Sequence, residues 1–219
     1  MNYIKYFLQF ILIVFSFLIF KILGPKISSY ISGKIFEIIG PYFRSEKIIH
    51  SNIKKAFPEI SLKDLNKLTN SMWNNYGRVF AEYVFIKDFR NGKLSSKIRI
   101  DGEEIINEIK KSNQQVIFIS GHLSNFELMA MYLDKSGISL SAIYRPLNNI
   151  FLNRIMESIR KKYICKNQVK KGIHGLKDAV NYIKNGFSLA LMVDQRLGEG
   201  EKVKFFNKLA STTTLPAQL

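Results

Sequence analysis

The chain carries an uncharged, strongly apolar segment close to its N-terminus. Between Lys5 and Lys21 no residue is charged, and Phe, Leu and Ile dominate the stretch. A helix rises about 1.5 Å per residue, so this stretch with Ile22 and Leu23 approaches the thickness of a bilayer core. The flanking lysines can extend to the membrane surface. We predict an uncleaved anchor helix over residues 1–24 that spans or lies in the membrane.

Two other interpretations of this segment stay open. A cleaved signal peptide needs small residues at its cleavage site, and residues 21–25 offer no good one. A buried helix of a soluble core would also be apolar, although here nothing interrupts the apolar surface. Basic residues are more numerous after the segment than before it, so the positive-inside rule places the downstream chain in the cytoplasm.

The chain has a formal charge of +16, which favours anionic partners. These are nucleic acid, anionic lipid or an acidic carrier protein, although a Lys-, Ile- and Asn-rich composition accounts for part of the charge. The basic residues are scattered and form no nucleic-acid module, so we predict no nucleic-acid partner. Six basic residues form a modest cluster: Arg160, Lys161, Lys162, Lys166, Lys170 and Lys171. This cluster is either a binding surface for an acidic carrier protein or a solvated helix end. Cys165 is the single cysteine, so no intrachain disulfide or cysteine metal cluster can form.

The pattern of apolar residues changes after Asn91-Gly92. Residues 25–90 show helical spacing, with a helix start at Ser61, and are predicted to be a helical lead-in packed on the catalytic domain. In residues 91–219 strand-like and helical runs alternate, which predicts an α/β domain: an αβα sandwich with a mostly parallel central sheet. The predicted strands are Lys97–Asp101, Gln115–Ser120, Ser139–Tyr144, a short one at Val169, Phe187–Val193 and Val203–Phe206.

Polar residues follow three of these strands. In open α/β sheets, ligands bind at the carboxyl ends of the strands. The first strand end is Gly121-His122-Leu-Ser-Asn-Phe-Glu127, the second is Arg145-Pro146-Leu-Asn148, and the third is Asp194-Gln195-Arg196. These three ends predict one site with groups able to titrate and to bind anions.

His122 and Glu127 are the candidate catalytic pair. Gly121 lets the backbone turn sharply after the strand, and Glu127 falls in the first turn of a helix that Ser124 is predicted to cap. A carboxylate on one ring nitrogen fixes the imidazole tautomer and leaves the other nitrogen able to take a proton. The alternative is a capping box, in which Glu127 serves backbone donors and His122 is an ordinary loop histidine.

The three strand ends resemble one known family. The first resembles the Gly-His-x-Gly-Asn-Trp/Phe-Glu block of the bacterial lipid A late acyltransferases, the lauroyl/myristoyl transferase family within the glycerolipid acyltransferase superfamily. Tyr144-Arg145-Pro146 with Asn148 or Asn149 resembles the second block. The third block has its counterpart in four parts of this sequence: Asp194-Gln195, Val203-Lys-Phe-Phe206, Ala210 and Thr212, which together resemble it. The order and spacing match over nearly the whole chain, and the anchor and helical lead-in also fit.

The resemblance implies a membrane-bound acyltransferase that needs no metal or cofactor. It would move a fatty acyl chain from acyl carrier protein to a hydroxyl of a lipid A precursor of the Kdo-lipid IVA type, at the cytoplasmic face of the bacterial inner membrane. His122 would deprotonate the hydroxyl, and Glu127 would orient and polarise His122. The oxygen would attack the thioester directly. Substrate would be bound by Asn125, Arg145, Asn148, Asp194, Gln195 and Arg196.

The sequence departs from the family pattern at three places. Ser124 stands where the family has Gly, and Asn207 stands where a Gly follows the Phe-Phe pair, although Asn tolerates a left-handed turn. Family members also continue well beyond the position of Leu219, so the chain is expected to be a fragment or an incomplete core.

Two alternative functions stay open. The same fold can serve an acyl-CoA-dependent acyltransferase with another glycolipid acceptor. A basic, non-enzymatic protein that binds the membrane surface would explain the charge but not the three polar strand ends.

Overall fold

The computed structural model of the chain describes residues 2–195 and 200–219. The uncharged segment forms the first part of helix α1 (Asn2–Ile39), which Gly24 interrupts with φ 78° and ψ 167°. Glycine adopts this left-handed φ without steric cost, and Pro25 has no amide proton to continue the helical hydrogen bonds. The interruption coincides with the end predicted for the anchor segment.

Helix α1 has the length and composition of a membrane helix. Tyr3–Tyr42 is apolar enough to cross a membrane, and 6% of its apolar stretch is buried within the chain. A helix of a soluble core would bury its apolar face against other elements, so this exposure disfavours the core interpretation.

The helical lead-in is confirmed. It contains α2 (Glu46–Ala56), α3 (Leu62–Glu82) and α4 (Ile86–Asn91), with 3₁₀ turns at Gly40–Tyr42, Tyr83–Phe85 and Ser95–Lys97. Ser61 caps α3 as predicted, since its hydroxyl accepts a hydrogen bond from the Asp64 amide at 3.1 Å. The Ser32 hydroxyl donates to the Gly77 carbonyl at 2.6 Å, and a Cβ on Gly77 would lie 2.3 Å from the Ser32 carbonyl oxygen. Gly77 therefore allows α1 and α3 to approach closely.

Helices and strands alternate over residues 103–192, as the sequence predicts, and a two-stranded hairpin and a short helix follow. The elements are α5 (Glu103–Ser112), β1 (Ile117–Ser120), α6 (Glu127–Lys135), β2 (Leu140–Tyr144), α7 (Ile150–Tyr163), β3 (Asn167–Lys170), α8 (Ile173–Lys184), β4 (Ser188–Met192), β5 (Glu201–Phe205), β6 (Lys208–Thr212) and α9 (Leu215–Gln218).

Among the described residues, four strands form a parallel sheet in the order β1-β4-β2-β3. Strand β4 pairs with β1 on one side and β2 on the other, and β2 also pairs with β3. Because all four strands run the same way, their carboxyl ends share one edge. The predicted α/β class with a parallel central sheet is confirmed.

Two strand assignments differ from the prediction. Residues 98–101 are not a strand, although burial alternates from Ile98 to Ile100, because no strand of the described chain pairs with them. The prediction had also missed β6, which pairs antiparallel with β5 in a hairpin. Its short mixed sequence of Lys, Leu, Ala, Ser and Thr carries little hydrophobic alternation.

The core beneath the sheet is built from small and branched apolar side chains. Val169, Ala179, Leu189 and Leu191 are buried, and Leu215 and Leu219 are among the residues that pack against them. Cys165 is also buried, its thiol contacts the Leu140 carbonyl oxygen, and burial raises the pKa of this thiol to about 12.

The described chain divides into two compact units. One unit holds the parallel sheet and comprises residues 2–14, 86–195 and 213–219. The other holds the helical lead-in and the β5–β6 hairpin and comprises residues 15–85 and 200–212. The division into anchor, lead-in and catalytic domain predicted from the sequence follows chain order, whereas each unit is assembled from separate segments.

Candidate active site

The three polar strand ends lie on one edge of the parallel sheet. Strand β1 leads to Gly121-His122, β4 leads to Asp194-Gln195, and β2 leads to Arg145. Because β4 lies next to β1, the residues that follow these two strands meet. Ser120 is in register with Met192, and the Val193 amide donates to the Ser120 carbonyl at 3.0 Å.

Asp194 binds His122 through both of its carboxylate oxygens. Oδ1 lies 2.7 Å from Nδ1 of the imidazole, and Oδ2 accepts a hydrogen bond from the His122 backbone amide at 2.7 Å. Burial alone would raise the pKa of the Asp194 carboxyl, but the hydrogen bonds from His122 outweigh burial and lower it. The carboxylate is therefore ionised at neutral pH and holds the ring in one orientation.

The imidazole of His122 is partly exposed, with an exposed side-chain fraction of 30%. Its Nε2 lies 3.3 Å from the side-chain amide nitrogen of Gln195. With Nδ1 protonated toward Asp194, Nε2 is an acceptor for Gln195 or for a substrate proton. The Phe126 ring packs edge-on against the imidazole at 4.6 Å between centroids. The arrangement can perform general acid–base chemistry at Nε2.

The carboxylate contact that was expected from Glu127 comes from Asp194 instead. Oε1 of Glu127 accepts hydrogen bonds from Nε and Nη2 of Arg160, at 2.9 and 2.6 Å. Both side chains are largely buried, with exposed fractions of 9% for Glu127 and 13% for Arg160. The structure thus turns Glu127 toward α7, and the catalytic role assigned to it stays a prediction.

The local reason is that α6 begins later than predicted. It starts at Glu127, and its N-cap residue Phe126 makes no side-chain capping bond, so neither the Ser124 cap nor the alternative capping box forms. Ser124 has φ 43°, in the left-handed region that favours glycine. A serine therefore adopts a backbone conformation at this turn that glycine takes more easily.

Arg160 is the residue that sequence reasoning missed. It was grouped with the basic cluster near the end of α7, whereas its guanidinium is held by Glu127 and lies 5.4 Å from the centre of the Tyr144 ring. The Tyr144 hydroxyl donates to Glu157, and burial together with this hydrogen bond raises the pKa of Tyr144. Asn153, Glu157 and Arg160 are spaced i, i+4 and i+7, so they lie on one face of α7. This spacing could have distinguished Arg160 from the solvated lysines beside it.

The remaining residues predicted to bind substrate differ in their exposure and contacts. Arg145 and Asn148 are exposed after β2, and Asn125 is partly buried in the turn before α6. Asn149, the other possible match to the second block, is buried, and its Oδ1 accepts from the amides of Phe151 and Leu152 at the start of α7. Asn149 thus has a structural role here. The predicted binding residue Arg196 lies outside the described residues.

No three His, Cys, Asp or Glu side chains converge as metal ligands would within the part of the chain that the structure describes. The functional groups found at the sheet edge are an imidazole, carboxylates, amides and a guanidinium. These groups support proton transfer and anion binding.

A parallel α/β sheet with a histidine–carboxylate pair at its carboxyl edge is the arrangement of an enzyme that uses general acid–base catalysis. Within that class, the family described as bacterial lipid A biosynthesis acyltransferase matches residues 1–219. The chain therefore belongs to this family, and the resemblance predicted from the three strand ends is confirmed.

Curated relatives agree at low identity. The chain is 23% identical over 187 residues to the lipid A biosynthesis myristoyltransferase of Escherichia coli (strain K12), covering 84% of this chain and 56% of the relative. The lipid A biosynthesis acyltransferase 1 of Shigella flexneri matches with the same identity and coverage. The acyltransferase 2 of Shigella flexneri is 22% identical over 170 residues, which are 77% of this chain and 54% of that protein. The chain thus spans about half the length of these relatives.

Proposed function

We propose that this chain carries the acid–base site of a membrane-associated acyltransferase in lipid A biosynthesis. The observation that carries the proposal is the His122–Asp194 pair, in which Asp194 binds Nδ1 of a partly exposed imidazole at the carboxyl edge of the sheet and leaves Nε2 to take a proton. Family membership supports the class of reaction. The proposed acceptor is a hydroxyl of a Kdo-lipid IVA type precursor, and the proposed donor is an acyl carrier protein thioester.

The chemistry needs one proton acceptor and no covalent enzyme intermediate. Nε2 of His122 takes the hydroxyl proton while the oxygen attacks the thioester carbonyl and forms the new ester bond. The carbon–sulfur bond then breaks, and the imidazolium returns the proton to the departing thiolate. Asp194 acts through His122 as a positioning residue, because its negative charge stabilises the imidazolium that forms during the reaction.

Glu127 and Arg160 have a different proposed role. Glu127 is the first residue of α6 and follows the His122 turn by five positions, and Arg160 ties it to α7. This ion pair holds the end of the turn that runs from His122 to the start of α6. Arg145, exposed at the end of β2, is the group proposed to bind an anionic part of a substrate.

The proposed location is the bacterial inner membrane, with the sheet-bearing unit on the cytoplasmic side. Helix α1 has the composition of a membrane anchor, and more basic residues follow its apolar segment than precede it. The net charge of +16 suits a surface rich in anionic lipid and an acidic carrier protein.

The test compares two histidine variants of the full chain in membranes. Acyl transfer to the lipid A precursor is measured with matched acyl carrier protein and acyl-CoA donors, and products are identified by mass spectrometry. His122→Ala is expected to lower transfer by about 100-fold or more, because the proton acceptor is lost. His174→Ala, an exposed histidine at the start of α8, is the matched control and should retain activity.

Full activity in His122→Ala would contradict the proposed base. Preference for acyl-CoA would replace the carrier protein as donor while leaving the base in place. An inactive wild type that binds anionic membranes in a salt-dependent way, indifferent to His122, would favour the non-enzymatic alternative.

A further inference from the structure

The β5–β6 hairpin exposes apolar side chains on both of its faces. All five residues of β5 are exposed, and the exposed fractions reach 66% for Phe205 and 69% for Leu209. A two-stranded hairpin is marginally stable in water unless another surface covers it. This segment therefore places large apolar groups where a further partner can bind them.

The turn of the hairpin directs an aromatic ring to its tip. Phe206 and Asn207 are the two central residues, with φ values of 48° and 56°. Positive φ at both positions is the signature of the tight turn that suits twisted hairpins. Asn207 tolerates this conformation, as expected from its residue type, whereas a left-handed phenylalanine is sterically unfavourable. The chain thus keeps a bulky ring at the tip despite its conformational cost.

Phe206 belongs to a small exposed aromatic cluster. Its ring lies 4.7 Å from that of Phe205 and 6.1 Å from that of Phe57, which follows the last turn of α2. All three side chains are at least half exposed. We call Phe57, Phe205 and Phe206 the aromatic tip.

Lysines surround the aromatic tip. Lys202, Lys204 and Lys208 lie in the hairpin, whose acidic residue is Glu201 at the base, and Lys54 and Lys55 end α2 beside Phe57. Exposed aromatic rings flanked by lysines match the interface of an anionic bilayer, where rings lie at headgroup depth and ammonium groups meet phosphates. The negative potential of such a surface attracts lysines that lie close to it.

We propose that the aromatic tip inserts into the interfacial layer of an anionic lipid bilayer. The compact unit that carries the tip also contains residues 15–24 of the apolar segment proposed to anchor the chain. A second contact of this kind would hold the unit at the membrane surface independently of the acid–base site.

The experiment places an environment-sensitive dye at the tip of the full chain reconstituted in vesicles. Phe205→Cys is labelled with a thiol-reactive dye, and the native Cys165 stays unlabelled because it is buried and its thiol pKa is raised to about 12. The vesicles contain phosphatidylglycerol and phosphatidylethanolamine. The matched control is Ile105→Cys, an equally apolar and exposed residue on the acid-rich helix α5.

Insertion predicts opposite quenching at the two positions. The dye at position 205 should be quenched by nitroxide-labelled lipid and shielded from aqueous iodide, while the dye at position 105 should show the reverse. Replacing Lys202, Lys204 and Lys208 by Glu should at least halve the lipid quenching at position 205. Circular dichroism of each labelled variant checks that the fold is kept.

Three results would overturn the proposal. Iodide quenching at position 205 equal to that at position 105 would show that the tip stays in water. Shielding from both quenchers would show that protein, such as a second copy, covers the tip. Lipid quenching unchanged by the three charge reversals would remove the role of anionic lipid.

Discussion

Gly121 determines how closely Asp194 approaches the backbone before His122. A Cβ at position 121 would lie 3.3 Å from Oδ2 of Asp194, tighter than ordinary contacts between side chains. The same oxygen accepts the hydrogen bond from the His122 amide. A glycine at this strand end therefore lets one carboxylate bind both the backbone and the ring of the histidine, which fixes the imidazole before any substrate arrives.

Removing the charge of Asp194 should affect both the turnover rate and the pH dependence of stability. Asp194→Asn keeps the shape of the side chain but withdraws the charge that stabilises the imidazolium, so kcat should fall by about 10-fold or more while KM changes little. The pKa of Asp194 is lowered in the folded state. Its ionisation therefore contributes stability above the usual carboxyl pKa of about 4, and this is lost as pH falls through the folded-state value.

Urea unfolding of wild type and Asp194→Asn at several pH values tests the second expectation. The difference in the free energy of unfolding should be largest near neutral pH and shrink below about pH 4. Asp101→Asn is the control, because its ion pair with Arg99 is exposed on both sides and contributes little. A stability difference that does not vary with pH would contradict the charge-based role of Asp194.

At the scale of elements, the link between α6 and α7 is a largely buried ion pair. Removing one partner of such a pair leaves an uncompensated charge, which is more costly than losing both partners. Arg160→Met should therefore lower the free energy of unfolding by about 3 kcal/mol or more. Chemical denaturation of the full chain in detergent measures the loss.

The double variant Glu127→Gln/Arg160→Met separates charge burial from packing. It should recover part of the stability lost in Arg160→Met, because no unpaired carboxylate remains. Arg99→Ala, which breaks an exposed ion pair, should change the unfolding free energy by less than about 1 kcal/mol. A double variant no more stable than Arg160→Met would show that lost packing around Arg160, and not the unpaired Glu127 carboxylate, causes the loss.

The sequence predicted the elements of this site better than their contacts. Alternating strands and helices, with polar residues after three strands, located His122, Arg145 and Asp194 at one edge of a parallel sheet. The contact between His122 and Asp194 depends on β4 lying beside β1, and strand order is not encoded in any local pattern. Glu127 was five residues from His122 and looked the nearer carboxylate, yet the position of the α6 start turned it toward Arg160.

At the scale of the whole molecule, the first turns of α1 belong to the unit that carries the sheet. The Asn149 side chain donates to the Tyr6 carbonyl at 2.8 Å, and the Phe151 ring lies 5.6 Å from that of Phe7 and 5.9 Å from that of Phe10. A bilayer core is about 30 Å thick, so residues in its far leaflet cannot contact a cytoplasmic unit. If the sheet-bearing unit lies on the cytoplasmic side, as proposed, these contacts favour an α1 whose first turns stay on that same side of the membrane over one that crosses it completely.

Cross-linking in native membranes tests this placement of α1. Cysteines replacing Phe7 and Phe151 should be joined by a short bismaleimide cross-linker, because the two native rings are in contact, and the buried Cys165 should take no part. The matched control combines Leu8→Cys with Phe151→Cys, since Leu8 is exposed on the neighbouring position of the helix. Efficient cross-linking at position 7 and little at position 8 is expected. Two results together would contradict this placement: no cross-link at position 7, and labelling of a Tyr3→Cys thiol from outside intact cells. They would show that α1 crosses the membrane and leaves its first turns on the far side.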